Sequence, residues 1–213
     1  MAKRRTATRT ISNAGRLRVL EVVTAARKVV GIAPTESSVE PDGIIDLAYD
    51  RGIAQIQVQP ITVELDVDGE IRRYTPDVKY VRDTGVIGFR EFKDSDTPME
   101  PDMVRKLEAA RAYFRRDGFE FAVVESKELR RGYRMDNLRA LKRYAQWPPT
   151  QRVRDLVFGC LRDGARKTLG ELRELVGLAG LGSLYRLMWD QEIGVELEAA
   201  RLCAATSVWG VSA

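Results

Sequence analysis

The sequence predicts an α/β (α+β) protein: a mixed sheet with helices on its faces, followed by a small helical unit that ends in a hairpin. Three observations carry this expectation. Residues 53–93 alternate apolar and polar side chains in strand fashion. A helical repeat over 102–116 then leads into the short apolar run Phe119-Glu120-Phe121-Ala122-Val123-Val124. Finally, Gln146-Trp147-Pro148-Pro149-Thr150 reads as a linker between two regions of regular structure.

Element by element, residues 1–15 are polar and basic. A short helix is expected over 17–30, with Leu17, Leu20, Val23 and Val30 loosely periodic and Gly31 and Pro34 ending it. A second is expected over 36–50, with Pro41 tolerated in its first turn and Ile44, Ile45, Leu47 and Ala48 as its apolar side. Residues 53–65 read as a strand broken or edged at Pro60, and Asp68-Gly69 is a hairpin signal. Residues 71–81 and 86–93 are the next two strands, joined by a turn at Asp83-Thr84-Gly85. The helix over 102–116 places Met103, Leu107, Ala110 and Phe114 on one face and stops at Gly118. After the strand at 119–124, a long basic helix is expected over 127–145, with Leu129, Tyr133, Leu138 and Leu141 as its stripe.

Beyond the linker come a helix over 152–163, one capped by Thr168 with Glu171 as its capping-box partner, and a third capped by Ser183. Residues 193–197 and 206–209 close the chain as a hairpin, giving a winged-helix-like set. The expected organisation is a basic N-terminal arm (1–31), a catalytic core (32–146) and a winged-helix-like C-terminal domain (147–213).

Composition narrows the chemistry. The 213 residues contain no histidine, which excludes Ser-His-Asp and Cys-His catalysis and any His-ligated metal. Two cysteines are too few for a disulfide scaffold or a four-thiolate site. Any metal is therefore expected to sit among oxygen ligands, as magnesium does. No stretch approaches the roughly 20 apolar residues of a membrane span, and the basic N-terminus lacks a signal-peptide core, so a cytoplasmic protein without membrane partners is expected. The net charge of +4 is unevenly spread: +7 over 1–31, −9 over 32–103, +8 over 104–154 and −2 over 155–213. Carboxylates gathered around a metal, flanked by basic surfaces for double-stranded DNA, would produce that pattern.

The residues that focus the chemistry are Pro76-Asp77 and Glu91-Phe92-Lys93. Strand alternation puts Glu91 and Lys93 on one face and turns Phe92 into the core. If the strands pair through the 83–85 turn, Asp77 lies beside Glu91, and two carboxylates on adjacent strands suit one or two magnesium ions. The metal would act as a Lewis acid and lower the pKa of a water, while Lys93 would orient that water and stabilise charge at the phosphate. A third acid is expected from the preceding helix: Glu40, with Asp42, Asp46 and Glu36 as competitors.

Taken in order, Glu36-Ser37-Ser38-Val39-Glu40, Val58-Gln59-Pro60, Arg73-Tyr74-Thr75-Pro76-Asp77 and Glu91-Phe92-Lys93 resemble the PD-(D/E)XK nuclease superfamily. More narrowly, they resemble TnsA, the endonuclease subunit of heteromeric transposases. Pro41-Asp42-Gly43 departs from the longer helical run usual after the family's glutamate. The resemblance implies a restriction-endonuclease-like core, with Glu40, Asp77 and Glu91 holding Mg2+ (Mn2+ substituting), Lys93 as the catalytic lysine and Gln59 as a helper. It further implies cleavage at the 5′ ends of a transposon, beside a TnsB-like DDE transposase and a TnsC-like AAA+ regulator. The alternatives are a stand-alone or phage-associated nuclease of recombination or packaging, and a catalytically silent DNA-binding adaptor. Arg115, Arg116, Arg130, Arg131, Arg134, Arg139, Lys142 and Arg143 are the expected phosphate contacts.

Overall fold

A computed structural model describes residues 18–20, 29–30, 33–35 and 37–211. Of the expected basic arm over 1–31, only residues 18–20 and 29–30 are described, and the competing acid Glu36 lies outside the described residues. The chain divides into two compact units, with Leu129 ending the first and Arg130 opening the main part of the second.

In the first unit, β1 (Arg18–Leu20) pairs antiparallel with β3 (Ala33–Thr35), and β2 (Val29–Val30) runs parallel to β4 (Ile53–Val58). The helix expected over 17–30 is thus replaced at 18–20 and 29–30 by strand. The β-branched Val19, Val29 and Val30 favour that conformation. Helix α1 (Glu40–Tyr49) follows, with Pro41 in its first turn and Glu40 and Asp42 at its electropositive end. The Ser37 hydroxyl accepts from the Val39 and Glu40 N–H groups at 3.3 Å, satisfying donors that the helix start leaves open. Ile44, Ile45 and Leu47 are buried.

The two long strands expected over 53–65 and 71–81 are each split at a proline. Pro60 separates β4 from β5 (Val63–Val67), and Pro76 separates β6 (Glu70–Tyr74) from β7 (Val78–Arg82). Proline cannot donate to a ladder, so each break releases the chain from the main sheet. β5 and β6 pair only with each other, through a turn in which Asp68 (φ 54°) and Gly69 (φ 84°) both adopt positive φ, as a primed hairpin turn requires. The Gln59 N–H donates to the Asp77 carbonyl at 2.8 Å and closes the gap where the hairpin leaves and rejoins the sheet.

β8 (Ile87–Lys93), α2 (Pro101–Arg116), β9 (Glu120–Glu125) and α3 (Ser126–Leu129) complete the unit. The sheet order is β2-β4-β7-β8-β9, antiparallel in the middle and parallel at both edges. This is the mixed sheet that the sequence predicts. Its core gathers Val63, Leu65, Val67 and Tyr74 of the hairpin, Phe89 of β8, and Leu107, Ala110 and Phe114 of α2. Phe114 stacks on Phe89 with centroids 4.2 Å apart and on Phe121 at 5.5 Å.

The second unit contains α4 (Arg134–Lys142), α5 (Gln151–Cys160), β10 (Arg166–Thr168), α6 (Leu169–Trp189), β11 (Ile193–Val195) and β12 (Ser207–Gly210). The single basic helix expected over 127–145 is two helices. Gly132 (φ 61°) sits between α3 and α4, a conformation that breaks a helix and that glycine adopts readily. The Thr168–Glu171 capping box is present as expected. Ser183 is no cap: the break falls at Gly177 (φ 65°, ψ 177°), and Ser183 is buried within α6, its hydroxyl accepting from the Thr150 N–H at 3.1 Å. The three strands form an antiparallel sheet in the order β10-β12-β11. Among the described residues no helix is long and apolar enough to cross a membrane.

Candidate active site

The site is built where β8 ends. Glu91 is buried, Lys93 is half-buried, and the intervening Phe92 points to the opposite side, against α1. A Cβ on Gly43 of α1 would lie 2.0 Å from Phe92 Cε1, so only glycine lets the helix approach this closely. The helix-weakening glycine at 43 is therefore what seats Glu40 beside the sheet.

Asp77 enters from the neighbouring chain segment, immediately after the break at Pro76. The Phe92 N–H donates to Asp77 Oδ2 at 2.7 Å, which ties the aspartate to the strand that carries Glu91. Glu91 is held at both oxygens: the buried Tyr74 hydroxyl donates to Oε2 at 2.8 Å, and Lys93 Nζ lies 2.7 Å from Oε1. Glu40, Asp77, Glu91 and Lys93 all line one open cleft of about 1300 Å3. Its other wall is formed by Arg73, Tyr74 and Thr75 of the hairpin side and by Met103 and Lys106 of α2.

Electrostatics single out Asp77. Burial first, then the negative charge of Glu91 and more weakly that of Glu40, pushes its carboxyl from an ordinary 3.8 up to about 8, against the Phe92 N–H and Lys93. The Tyr74 hydroxyl is driven far above its ordinary value by burial and by the adjacent Glu91 carboxylate, so it remains a hydrogen-bond donor throughout the accessible pH range.

These residues suit a hard divalent cation. Crowded carboxylates, one of which has its pKa pushed up to about 8 by burial and then by its neighbours' charge, are relieved by a positive ion. Among the described residues no three acidic side chains already form a closed ligand set. Magnesium does not require one, since it commonly takes one or two carboxylates and fills its octahedron with water and substrate phosphate oxygens.

Of the four helix acids weighed from sequence, Glu40 is in the cleft. Asp46 instead faces Arg90, 3.3 Å away, and Asp42 is buried in α1 outside the cleft lining. Gln59 contributes its backbone to the Asp77 loop, while its side chain is not part of the cleft lining. The basic residues fall into two groups. Arg115 and Arg116 are exposed at the end of α2 in the first unit, with Arg116 paired to Asp117. Arg130, Arg131, Arg134, Arg139, Lys142 and Arg143 belong to the second unit, where Arg139 faces Asp136 at 3.3 Å. Lys142 is half-buried, and that burial lowers its pKa. Sequence reasoning did not assign a role to Tyr74, whose motif position was visible but whose bond to Glu91 depends on the hairpin folding back across β8.

A mixed sheet flanked by helices, with an acid-X-Lys strand end beside an aspartate that stands just ahead of the neighbouring strand rather than inside it, defines a restriction-endonuclease-like core. Residues 50–126 match the family model described as TnsA-like endonuclease N terminal. The matched stretch includes Asp77, Glu91 and Lys93 and ends short of Glu40 on its N-terminal side. No curated protein matches the chain.

Proposed function

We propose that this protein is a magnesium-dependent DNA endonuclease that cuts the 5′ ends of a transposon. It would act with a TnsB-like DDE transposase and a TnsC-like AAA+ regulator. The match of residues 50–126 to the TnsA-like endonuclease N-terminal model supports a nuclease of this type. The single observation that carries the catalytic reading is the convergence of Glu40, Asp77, Glu91 and Lys93 on one cleft.

In this reading Asp77 and Glu91, with Glu40 at the edge, would hold Mg2+ (or Mn2+). The ion would supply Lewis-acid stabilisation of the phosphate and make a water more acidic. Tyr74 fixes the orientation of Glu91 through Oε2. The Phe92 N–H fixes Asp77 through Oδ2 and leaves its other oxygen available. Lys93, with its ammonium beside Glu91 and in the cleft, orients the attacking water and stabilises charge on the phosphate as the water oxygen displaces a sugar oxygen in line. From α5 onward, with α6 broken at Gly177, the second unit runs helix, strand, helix, helix, strand, strand and is read as winged-helix-like, with the unit's basic residues and Arg115 and Arg116 as backbone contacts.

The test is nicking of plasmid DNA with magnesium or manganese, alone and with a TnsB-like partner. Lys93→Ala and Asp77→Ala are expected to lower cleavage on the order of 10²–10³-fold while DNA binding persists. Variants that cut like wild type would remove the site assignment. Wild-type protein that never cuts, with any partner, would point instead to a DNA-binding adaptor.

A further inference from the structure

The hairpin–α2 wall of the cleft carries two pairs of adjacent cations, and each pair is divided in the same way. On β6, Arg72 is held by Glu70 at 2.9 Å and by Asp102, whereas its neighbour Arg73 lines the cleft. On α2, Arg105 is held by Asp68 at 3.0 Å and Asp102 at 3.2 Å, whereas its neighbour Lys106 lines the cleft. Among the described residues neither Arg73 nor Lys106 makes an ion pair, although Glu64 stands directly across the ladder from Arg73. Asp102 thus occupies one cation from each pair. The remaining two positive charges line the cleft that also carries Glu40, Asp77 and Glu91.

We propose that Arg73 and Lys106 form a phosphate-binding pair that holds a DNA backbone against this wall, beside Asp77, Glu91 and Lys93. The inference rests on the nuclease reading above and adds to it the side of the cleft on which the strand is gripped. A polyanion approaching a cleft lined by Glu40, Asp77, Glu91, Asp94, Glu100 and Asp102 is repelled unless cations of the same cleft hold it. Arg73 and Lys106 supply that charge without first having to leave an acid. Lys106 is also aimed: its ammonium lies 5.8 Å from the centre of the Tyr74 ring, the same ring whose hydroxyl bonds Glu91. That contact restrains the stem while leaving the ammonium's N–H donors available to a phosphate oxygen. A backbone held there would place a phosphodiester within the cleft rather than only along its rim.

Fluorescence anisotropy on the full chain with a labelled DNA duplex in EDTA, from about 50 to 200 mM KCl, reads the number of phosphates neutralised as the slope of log K against log salt. Arg73→Gln and Lys106→Gln are each expected to reduce that slope by about 0.9, and the double variant by about 1.8. Arg73→Lys and Lys106→Arg should retain it. Arg51→Gln, which removes the same charge from an exposed turn outside the cleft, should leave it unchanged. Wild-type slopes in both glutamine variants, with binding and metal-dependent nicking intact in the wild type, overturn this inference alone. A loss in Arg51→Gln equal to that in the cleft variants also overturns it. A wild-type protein that binds no duplex at the lowest salt removes the nuclease reading together with it.

Discussion

Tyr74 and Asp77 show how much of the site depends on single contacts. Tyr74→Phe removes the hydroxyl donor to Glu91 Oε2 while keeping the ring that packs on Phe114 and Phe121. The expected result is a cleavage rate lowered on the order of tenfold or more, with a raised metal requirement and an unchanged circular dichroism spectrum. Asp77 yields a pH prediction for the metal-free protein. Its carboxyl is ordinarily half-ionised at 3.8 but titrates at about 8 in the fold, so between those values the native state binds the extra proton. Stability should therefore fall as pH rises from about 4 to about 8. In EDTA the melting temperature at pH 8 should lie several degrees below that at pH 5.5, and Asp77→Asn should flatten the difference. Asp77, Glu91 and Lys93 are legible in the sequence, because Glu-X-Lys at a strand end and Pro-Asp before a strand are local signals. Arg73, Tyr74 and Lys106 were not, because their place in the cleft depends on non-local packing of the hairpin and α2.

At the scale of elements, the informative failures are the prolines and glycines. From sequence, Pro60 marks a break or an edge, and Pro76 falls inside the strand expected over 71–81. Together they lift β5 and β6 out of the sheet and form a separate hairpin. Gly132 divides what helical periodicity presented as one basic helix, and Gly177 moves the last helix break away from Ser183. Alternation and helical period specify which residues are apolar on one side, but not which ladder a strand joins. By contrast, the helix over 102–116 and the strands ending at Lys93 and near Val124 were readable because long periodic runs and tight turns bound them. The hairpin is attached to the rest of its unit mainly through the cluster around Phe114. Phe114→Ala is expected to cost about 3–5 kcal/mol. Hydrogen exchange should then show protection lost first in β5, β6 and α2.

For the whole molecule, the segmental charge has a structural counterpart in the first unit. The −9 stretch contains the cleft acids, and some of its remaining carboxylates neutralise arginines of the hairpin and α2. The three tryptophans, Trp147, Trp189 and Trp209, all belong to the second unit. Intrinsic tryptophan emission therefore reports on that unit, and Phe114→Ala should leave the native emission maximum unchanged while destabilising the first. A shifted maximum in native buffer would contradict that division.

The contact between Gly43 and Phe92 has one more consequence. A missing methyl on the helix and a ring on the strand occupy the same space, so their sizes are exchangeable. Gly43→Ala alone should displace the helix that carries Glu40 and lower cleavage. Combined with Phe92→Leu, it should regain part of the loss, giving a favourable coupling in a double-mutant cycle. The separation of Glu40 from Asp77 and Glu91 is thus a steric gauge set on the reverse side of the strand that carries Glu91, and it can be adjusted without altering any residue of the cleft's acid set.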